Sequence, residues 1–210
     1  MGRQGIRSKI KIEIKTMMTP KGLVFDCDGT LADTMPLHWR AWSMITQRHS
    51  LHFTEDRFYA LGGVPSRDIL KMLAQEQGRS LDHIAVAHEK EELYMPLMAD
   101  VEPIHAVVEI AREHHGKLPM AVASGGTQKI ICQVLEKIGI RDLFDAVVTS
   151  EMVRNQKPAP DIFIEAARLI GVDPKECRGY EDTELGMTAI RAAGMDAVDV
   201  RKLYGAAPKR

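Results

Sequence analysis

Two aspartates, Asp26 and Asp28, stand two residues apart directly after the apolar run of residues 22–25. In an extended chain, residues i and i+2 point to the same side, so both carboxylates can face one small volume. Two like charges at that distance are unfavourable unless they share a proton or a cation. One carboxylate can attack phosphorus while the other transfers protons. The pair therefore predicts a catalytic site, and the alternative is a strand that ends in a solvated aspartate turn.

Three further polar groups follow apolar stretches in the same way. Ser124 and Gly125 stand where a strand gives way to a helix, and they predict either an anion site or a helix N-cap. Lys157 precedes a proline, which favours an extended backbone, and it can neutralise phosphate or remain a solvent-exposed lysine. Glu181 and Asp182 offer the hard oxygen ligands that Mg²⁺ prefers, or they cap a turn.

The second half of the chain alternates short apolar strands with amphipathic helices. This pattern predicts an α/β fold, a Rossmann-like parallel sheet with helices on both faces. Ligands bind such sheets at the carboxyl ends of the strands, and every polar group described above lies at such an end. The predicted strands cover residues 118–123, 145–149, 177–180 and 197–200, and the predicted helices cover 130–138, 161–170 and 184–193.

Helical patterns alone fill the stretch between the first strand and the strand near residue 118, with helices predicted around residues 37–45, 67–77 and 81–98. A stretch of roughly 65 residues is too long for an ordinary strand-to-helix connection, so it predicts an inserted α-helical cap domain. Residues 9–15 alternate strictly and predict a half-exposed strand or a loosely attached tail. The predicted division is an N-terminal extension (1–19), a catalytic core (20–35 and 103–205), a helical cap (36–102) and a tail (206–210).

Composition limits the classes of function. The net charge of −1 gives no electrostatic reason to expect nucleic acid or an anionic membrane as partner. The three cysteines, Cys27, Cys132 and Cys177, are far apart in sequence and suggest reduced thiols in a cytoplasmic protein. No long apolar run predicts a membrane span or signal peptide. We expect a cytoplasmic monomer that acts on a small molecule.

The longer strings around these residues resemble the motifs of the haloacid dehalogenase superfamily of phosphatases and mutases. DCDGTLAD at residues 26–33 resembles the first motif, KPAPDIF at 157–163 the third, and Glu181-Asp182 followed by Gly186 the fourth. The resemblance covers roughly residues 20 to 203. Because the helical insertion lies between the first motif and the serine motif at Ser124, the second in order, the chain resembles the helical-cap class.

The resemblance implies a role for each motif residue. Asp26 would be the nucleophile and Asp28 the general acid and base. Mg²⁺ would be bound by Asp26, the backbone carbonyl of Asp28 and Asp182, with Glu181 as a further ligand or a partner of the ligands. Ser124 would bind the phosphoryl group, and Lys157 would pair with Asp26 and the phosphoryl oxygens. Gly29, Thr30 and Gly125 are expected beside the bound substrate.

Within the class, the chain resembles the β-phosphoglucomutase group and phosphatases acting on fructose 1-phosphate and 6-phosphogluconate. The resemblance adds four candidate substrate-binding residues in the cap, which are His38, Ser66, Arg67 and Lys90. Ser66 stands where mutases have a phosphate-binding arginine, and Lys129 is one position later than their lysine. A mutase must hold a bisphosphate, so we predict a Mg²⁺-dependent sugar phosphatase. The alternatives are a β-phosphoglucomutase and a non-catalytic sugar-phosphate-binding regulator.

One part of the chain departs from the family pattern. Arg178 and Gly179 occupy positions in the fourth predicted strand where aliphatic residues are usual. The sequence offers no physical account of a charged residue there, unless Arg178 lies at the start of the strand or points to an edge.

Overall fold

The computed structural model describes residues 19–204. Five parallel strands form one sheet in the order β3-β2-β1-β4-β5. This topology confirms the predicted Rossmann-like α/β fold. The strands are β1 (Gly22–Phe25), β2 (Met120–Ser124), β3 (Ala146–Thr149), β4 (Cys177–Glu181) and β5 (Asp196–Asp199).

Alternate residues of the central strands supply two separate cores. Leu23 and Phe25 pack into a cluster on one face of the sheet, which also contains buried residues of α5 and α6. Val24 packs into a second cluster on the other face, together with residues of α7 and α8. Because both faces are covered, the strands are apolar almost throughout. The helices of these two layers are α5 (His105–His114), α6 (Gln128–Lys137), α7 (Asp161–Leu169) and α8 (Glu184–Ala192).

The chain between β1 and β2 forms a helical segment with a core of its own. Trp42, Phe53, Phe58 and Leu70 belong to a third buried cluster that is built from this segment. Its helices are α1 (Met35–Arg48), α2 (Glu55–Ala60), α3 (Ser66–Glu76) and α4 (His83–Tyr94), followed by a 3₁₀ helix (Met95–Asp100). We propose that this segment is the cap domain predicted for residues 36–102.

The remaining elements are short. Two further 3₁₀ helices precede strands (Arg141–Leu143 and Pro174–Glu176), and α9 (Arg201–Tyr204) follows β5. Among the described residues, no helix is long and apolar enough to cross a membrane. The strand predicted at residues 9–15 and the tail at 206–210 lie outside the described residues.

The structure explains the two unusual residues of β4. Arg178 stands opposite Asp196 of the edge strand β5, and its Nε donates to Asp196 Oδ2 at 2.8 Å. Gly179 lies under α8, where a Cβ atom would come within 2.8 Å of the Ile190 side chain. The arginine is therefore paired at the sheet edge, and the glycine lets α8 approach the sheet closely.

Candidate active site

The loop after β1 carries both aspartates into the end of the sheet. The Asp26 N–H donates to the Tyr180 carbonyl at 2.9 Å, which extends the pairing of β1 with β4. The Cys27 carbonyl then accepts hydrogen bonds from the N–H groups of Thr30, Leu31 and Ala32 in a tight loop. Gly29 has φ +83°, and a Cβ atom there would overlap with the Asp182 carboxylate. The glycine therefore serves both the turn and the close approach of Asp182.

A buried lysine joins two carboxylates at the centre of the site. Lys157 Nζ donates to Asp26 Oδ1 at 2.7 Å and to Glu181 Oε2 at 2.8 Å, and all three residues are buried. Burial alone would lower the pKa of Lys157, but the charges of Asp26 and Glu181 outweigh it and raise the pKa. Burial and the charge of Glu181 hold the pKa of Asp26 above its usual range, although Lys157 opposes this shift. Lys157 is therefore positively charged. Its single charge cannot neutralise both carboxylates that it contacts, Asp26 and Glu181.

The excess negative charge lies where a metal ion would fit. Ligand atoms of Asp26, Glu181 and Asp182 all lie within 4.8 Å of one another. Burial and the charges of Glu181 and Asp26 raise the pKa of Asp182 well above its usual range. Hard oxygen atoms around unneutralised charge are what Mg²⁺ prefers. The residues present therefore fit the ion that the sequence predicts.

Glu181 is engaged differently from the other two carboxylates. Its Oε2 accepts from Lys157, and its Oε1 accepts from the N–H of Thr183 at 2.9 Å and from the Thr183 hydroxyl at 2.8 Å. Asp182 accepts from the Thr30 hydroxyl at 3.2 Å. Of the two roles predicted for Glu181, this geometry favours a partner that orients Lys157 and the loop, which leaves Asp26 and Asp182 as the candidate ligands of an ion.

The Asp28 carboxylate points away from this cluster. Its Oδ1 accepts from the Thr34 hydroxyl at 2.7 Å and lies 3.3 Å from His38 Nε2, while its Oδ2 accepts from Ser124 Oγ at 3.3 Å. Burial would raise the pKa of Asp28, but hydrogen bonds from His38 and Thr34 outweigh it and lower the pKa to about 2. Asp28 is therefore ionised and separated in function from Asp26.

Lys90 and His38 connect the helical segment to Asp28. Lys90 Nζ lies 2.8 Å from His38 Nδ1, and the His38 ring stacks on Tyr94 with centroids 3.9 Å apart. Burial and the charge of Lys90 lower the pKa of His38. Because Lys90 is a donor, it places the proton of a neutral His38 on Nε2, which then donates to Asp28. Lys90 is buried, so it is not an ordinary solvent-exposed helix lysine.

The turn of residues 124–126, here called the serine–glycine turn, forms one side of the site. Ser124 Oγ accepts from the Gly126 N–H at 3.1 Å and donates to Asp28, so its hydroxyl faces the site. The N-cap position of α6 is occupied by Thr127, not by Ser124. The N-cap alternative for Ser124 is therefore wrong.

These residues line a partly open cavity of about 70 Å³ between the sheet and the helical segment. Its polar lining includes Asp26, Asp28, Ser124, Lys90 and Ser66. The helical segment contributes an apolar wall made of Met35, Trp42, Phe58, Leu61, Val64 and Ile69.

Three of the predicted substrate-binding residues do not line the cavity, and neither do the predicted catalytic Lys157 and the predicted metal ligand Asp182. Arg67 is absent from its lining; the half-exposed guanidinium has Nε 3.9 Å from Asp68 Oδ1. Thr30 and Gly29 lie beside Asp182, behind the cavity wall. The geometry therefore supports a role for Gly29 and Thr30 in holding Asp182.

Sequence reasoning missed several residues that shape the site. Thr34 and Thr183 orient Asp28 and Glu181, and Gly62 and Gly63 lie in the cavity wall. Thr34 could have been found from its position just after the aspartate motif. The paired glycines also stood out as a turn signal between two helical patterns.

Comparison with known proteins identifies the family of this chain. Residues 23–200 match the model of the haloacid dehalogenase-like hydrolase family. The fructose-1-phosphate phosphatase YqaB of Escherichia coli is 41% identical over 183 residues, which cover 87% of this chain and 97% of the relative. The beta-phosphoglucomutase of Bacillus subtilis is 30% identical over 86% of this chain and 83% of its own.

A solved structure shares the fold. The crystal structure of beta-phosphoglucomutase from Clostridium difficile has a TM-score of 0.79 and 23% identity, covering 90% of this chain and 88% of that one. At this identity the likeness concerns architecture alone.

Proposed function

Because this chain belongs to the haloacid dehalogenase-like hydrolase family, we propose that it is a Mg²⁺-dependent phosphatase that hydrolyses a phosphorylated sugar. One observation carries the proposal above the others. Asp26 lies 2.7 Å from the buried Lys157, beside Asp182, while Asp28 is held apart by Thr34 and His38. One carboxylate is thereby arranged for attack on phosphorus and the other for proton transfer.

The reaction would proceed in two steps. In the first, an Asp26 oxygen bonds to phosphorus, the ester bond breaks, and Asp28 gives a proton to the departing sugar oxygen. In the second, Asp28 takes a proton from water, which attacks phosphorus and releases phosphate and free Asp26. Such acid and base assistance contributes roughly 10²–10⁴-fold to the rate. Mg²⁺, held by Asp26, Asp182 and the Asp28 carbonyl, would supply positive charge to the phosphoryl oxygens.

Asp28 needs a proton before the first step, although its pKa is lowered to about 2. A dianionic phosphate ester bound beside it would raise that pKa, because like charges favour the protonated carboxyl group. The Ser124 hydroxyl, 3.3 Å from Asp28 Oδ2, can accept a hydrogen bond from the protonated carboxyl group. Lys157 and the serine–glycine turn would stabilise negative charge on the transferring group.

Fructose 1-phosphate and 6-phosphogluconate are the proposed types of substrate. The relative YqaB, named as a fructose-1-phosphate phosphatase, supports the first of them. Among the residues that line the cavity, all within the described range 19–204, Lys90 is the one lysine and no arginine occurs. Arg67 and Lys129 are not in the lining. A β-phosphoglucomutase, which must hold a second phosphate, is therefore the less favoured function.

The proposal also covers the cellular location and the oligomeric state of the enzyme. Cys27, Cys132 and Cys177 are unpaired among the described residues, which supports a reducing cytoplasmic location. A monomeric state, with a small phosphorylated sugar as the partner, stays a prediction.

A panel of phosphorylated sugars tests the reaction. Phosphate release is measured with Mg²⁺ and with EDTA for fructose 1-phosphate, 6-phosphogluconate and β-glucose 1-phosphate, the last also with a bisphosphate primer. We expect Mg²⁺-dependent release from a sugar phosphate. Conversion of β-glucose 1-phosphate into glucose 6-phosphate without phosphate release would refute the phosphatase.

The variant Asp26→Asn separates catalysis from binding. It should bind the sugar phosphate but should not release phosphate, because the side-chain amide of the introduced asparagine cannot form the covalent intermediate. If no sugar phosphate is hydrolysed by the wild-type protein and binding alone persists in both forms, the non-catalytic regulator is the better description.

A further inference from the structure

Tyr94, the last residue of α4, is buried in a core of the sheet and not in the core of the helical segment. Its side chain is fully buried in the cluster that also contains Cys27 and Leu31 of the loop after β1. Earlier buried residues of α4, such as Val86, belong instead to the cluster of the helical segment. The position of Tyr94 is therefore fixed relative to the loop that carries Asp28.

The ring of Tyr94 covers one face of the His38 imidazole. The two ring centroids lie 3.9 Å apart and the ring planes differ by 10°. The edge of the imidazole makes two polar contacts, with Nδ1 2.8 Å from Lys90 Nζ and Nε2 3.3 Å from Asp28 Oδ1. A turn of the imidazole about the bond to its Cβ atom would break both contacts and drive its edge into the face of the tyrosine. The stacked ring therefore holds His38 in the one orientation that reaches Lys90 and Asp28 together.

The hydroxyl group of Tyr94 does not contribute to this contact. Among residues 19–204 it has no hydrogen-bond partner, and Tyr94 is not part of the cavity lining. Burial and the charges of Asp28 and Cys27 raise the pKa of Tyr94, so the hydroxyl stays neutral. A buried hydroxyl without a partner lowers stability. The part of Tyr94 that acts on the site is therefore its ring.

We propose that Tyr94 is a positioning residue for proton transfer: its ring fixes the His38 imidazole, which in turn keeps the Asp28 carboxyl group aimed at the departing sugar oxygen. This inference rests on the proposed function, in which Asp28 gives a proton to that oxygen. Without the stacked ring, the imidazole would take several orientations and Asp28 would lose one of its contacts. Thr34 and Ser124 would still hold the carboxylate, so the loss of proton transfer would be partial.

The variant Tyr94→Met tests this role with two substrates that differ in their leaving groups. Methionine adapts its shape to fill the buried space but has no flat face to stack on His38. For fructose 1-phosphate, whose departing oxygen needs a proton, we expect kcat/KM to fall by roughly 10- to 10²-fold, part of the 10²–10⁴-fold that acid assistance supplies. Acetyl phosphate releases acetate, a weak base that leaves without a proton. Its kcat/KM should therefore change by less than about 3-fold.

Two controls separate the ring from other effects. Tyr94→Phe keeps the ring and removes the unpaired hydroxyl, so it should hold kcat/KM for fructose 1-phosphate within about 3-fold and raise the unfolding temperature. Phe144→Leu removes another buried aromatic ring from the same cluster, just before β3. Any loss in Phe144→Leu should fall equally on fructose 1-phosphate and acetyl phosphate, because it loosens the core without touching His38.

A second measurement does not depend on turnover. Nuclear magnetic resonance of protein with ¹⁵N-labelled histidine reports the tautomer of His38, whose signals are identified by their loss in His38→Gln. We expect the Nε2–H tautomer alone in the wild type and in Tyr94→Phe, with the ring protons of His38 shifted upfield by the stacked ring. In Tyr94→Met the nitrogen signals should move towards the average of the two tautomers. If Tyr94→Met does not fold, Tyr94→Leu takes its place in both measurements.

The outcomes distinguish this inference from the proposed function. Equal losses on both substrates in Tyr94→Met, with the His38 tautomer unchanged, would overturn the role of Tyr94, as would a wild-type spectrum without the upfield shift. A Tyr94→Phe variant as impaired as Tyr94→Met would assign the effect to the hydroxyl and overturn the role of the ring. If the wild-type protein hydrolyses no sugar phosphate, the proposed function fails and the role in proton transfer fails with it. The tautomer of His38 in the variants would then still decide whether Tyr94 orients the imidazole.

Discussion

Replacing Lys90 with methionine should stabilise the protein and weaken its activity. Lys90 is buried, with Nζ 2.8 Å from His38 Nδ1 and over the rings of Trp42 and Tyr94. Burial lowers its pKa from 10.5 to about 8, although the charges of Asp28 and Glu91 oppose that shift. The charge is therefore held at a cost in stability, which suggests that it is retained for function.

The size of this cost follows from the pKa. The lowering from 10.5 to about 8 corresponds to about 3 kcal/mol of destabilisation at pH 7. Loss of the ring contacts and the hydrogen bond to His38 would offset roughly 1 to 2 kcal/mol of the gain. The Lys90→Met variant should thus be more stable than the wild type by about 1 to 2 kcal/mol at pH 7.

The pH dependence has a definite sign. The folded protein binds the Lys90 proton less tightly than the unfolded chain, so wild-type stability gains from a rise in pH between about 8 and 10.5. The destabilisation is complete below this window and disappears above it. The advantage of Lys90→Met should therefore be largest near pH 7 and shrink towards pH 10.

Urea unfolding at pH 7 and pH 10 checks this expectation. Tryptophan fluorescence is the suitable signal, because Trp39 and Trp42 both lie in α1, the helix that carries His38. Lys71→Met, at an exposed position of α3, is the control and should change stability by less than about 0.5 kcal/mol. A Lys90→Met variant less stable than the wild type at pH 7, or a difference that does not vary with pH, would refute the reasoning.

Three other variants test separate parts of the structure. Asp28→Asn should lower kcat by roughly 10²–10⁴-fold, since proton transfer is lost, with little effect on the equilibrium binding of substrate measured by calorimetry. Asp182→Asn should weaken Mg²⁺ binding in a calorimetric titration, and unchanged affinity would exclude Asp182 as a ligand. Gly179→Ala should lower the free energy of unfolding by about 1 to 3 kcal/mol, because the added methyl group would clash with the side chain of Ile190, a residue of α8. Its kcat/KM should stay near the wild-type value, and an unchanged unfolding midpoint would contradict the packing argument.

Much of the fold was predictable because it is encoded locally. Apolar runs marked β1 to β5, and the predicted strands and helices of the core differ from the observed ones by a few residues at their ends. Three helices were missed, α2, α5 and α9. The first has six residues, too few to establish a period. The spacing of Leu37, Ala41, Met44 and Ile45 predicts one apolar stripe on α1, yet Met44 is 48% exposed.

The position of the site was also encoded in the sequence. Asp26, Ser124 and Glu181 each follow or end a parallel strand, and the carboxyl ends of such strands meet at one edge of the sheet. Their convergence follows from strand order alone. The distances among Asp26, Lys157 and Glu181 then depend on loops whose course the sequence does not state.

Only the tertiary structure decided what the side chains of the helical segment do. Lys90 and Arg67 looked alike as cations on predicted helices, yet Lys90 is buried against His38 while Arg67 stays half-exposed beside Asp68. Likewise, Arg178 gained its partner Asp196 from the pairing of β4 with β5. The sequence by itself determined which residues carry the chemistry and at which strand ends they stand, because periodicity and motifs are local. Which cation enters the cavity depends on how α1, α3 and α4 pack, and that is set by contacts between residues distant in the chain.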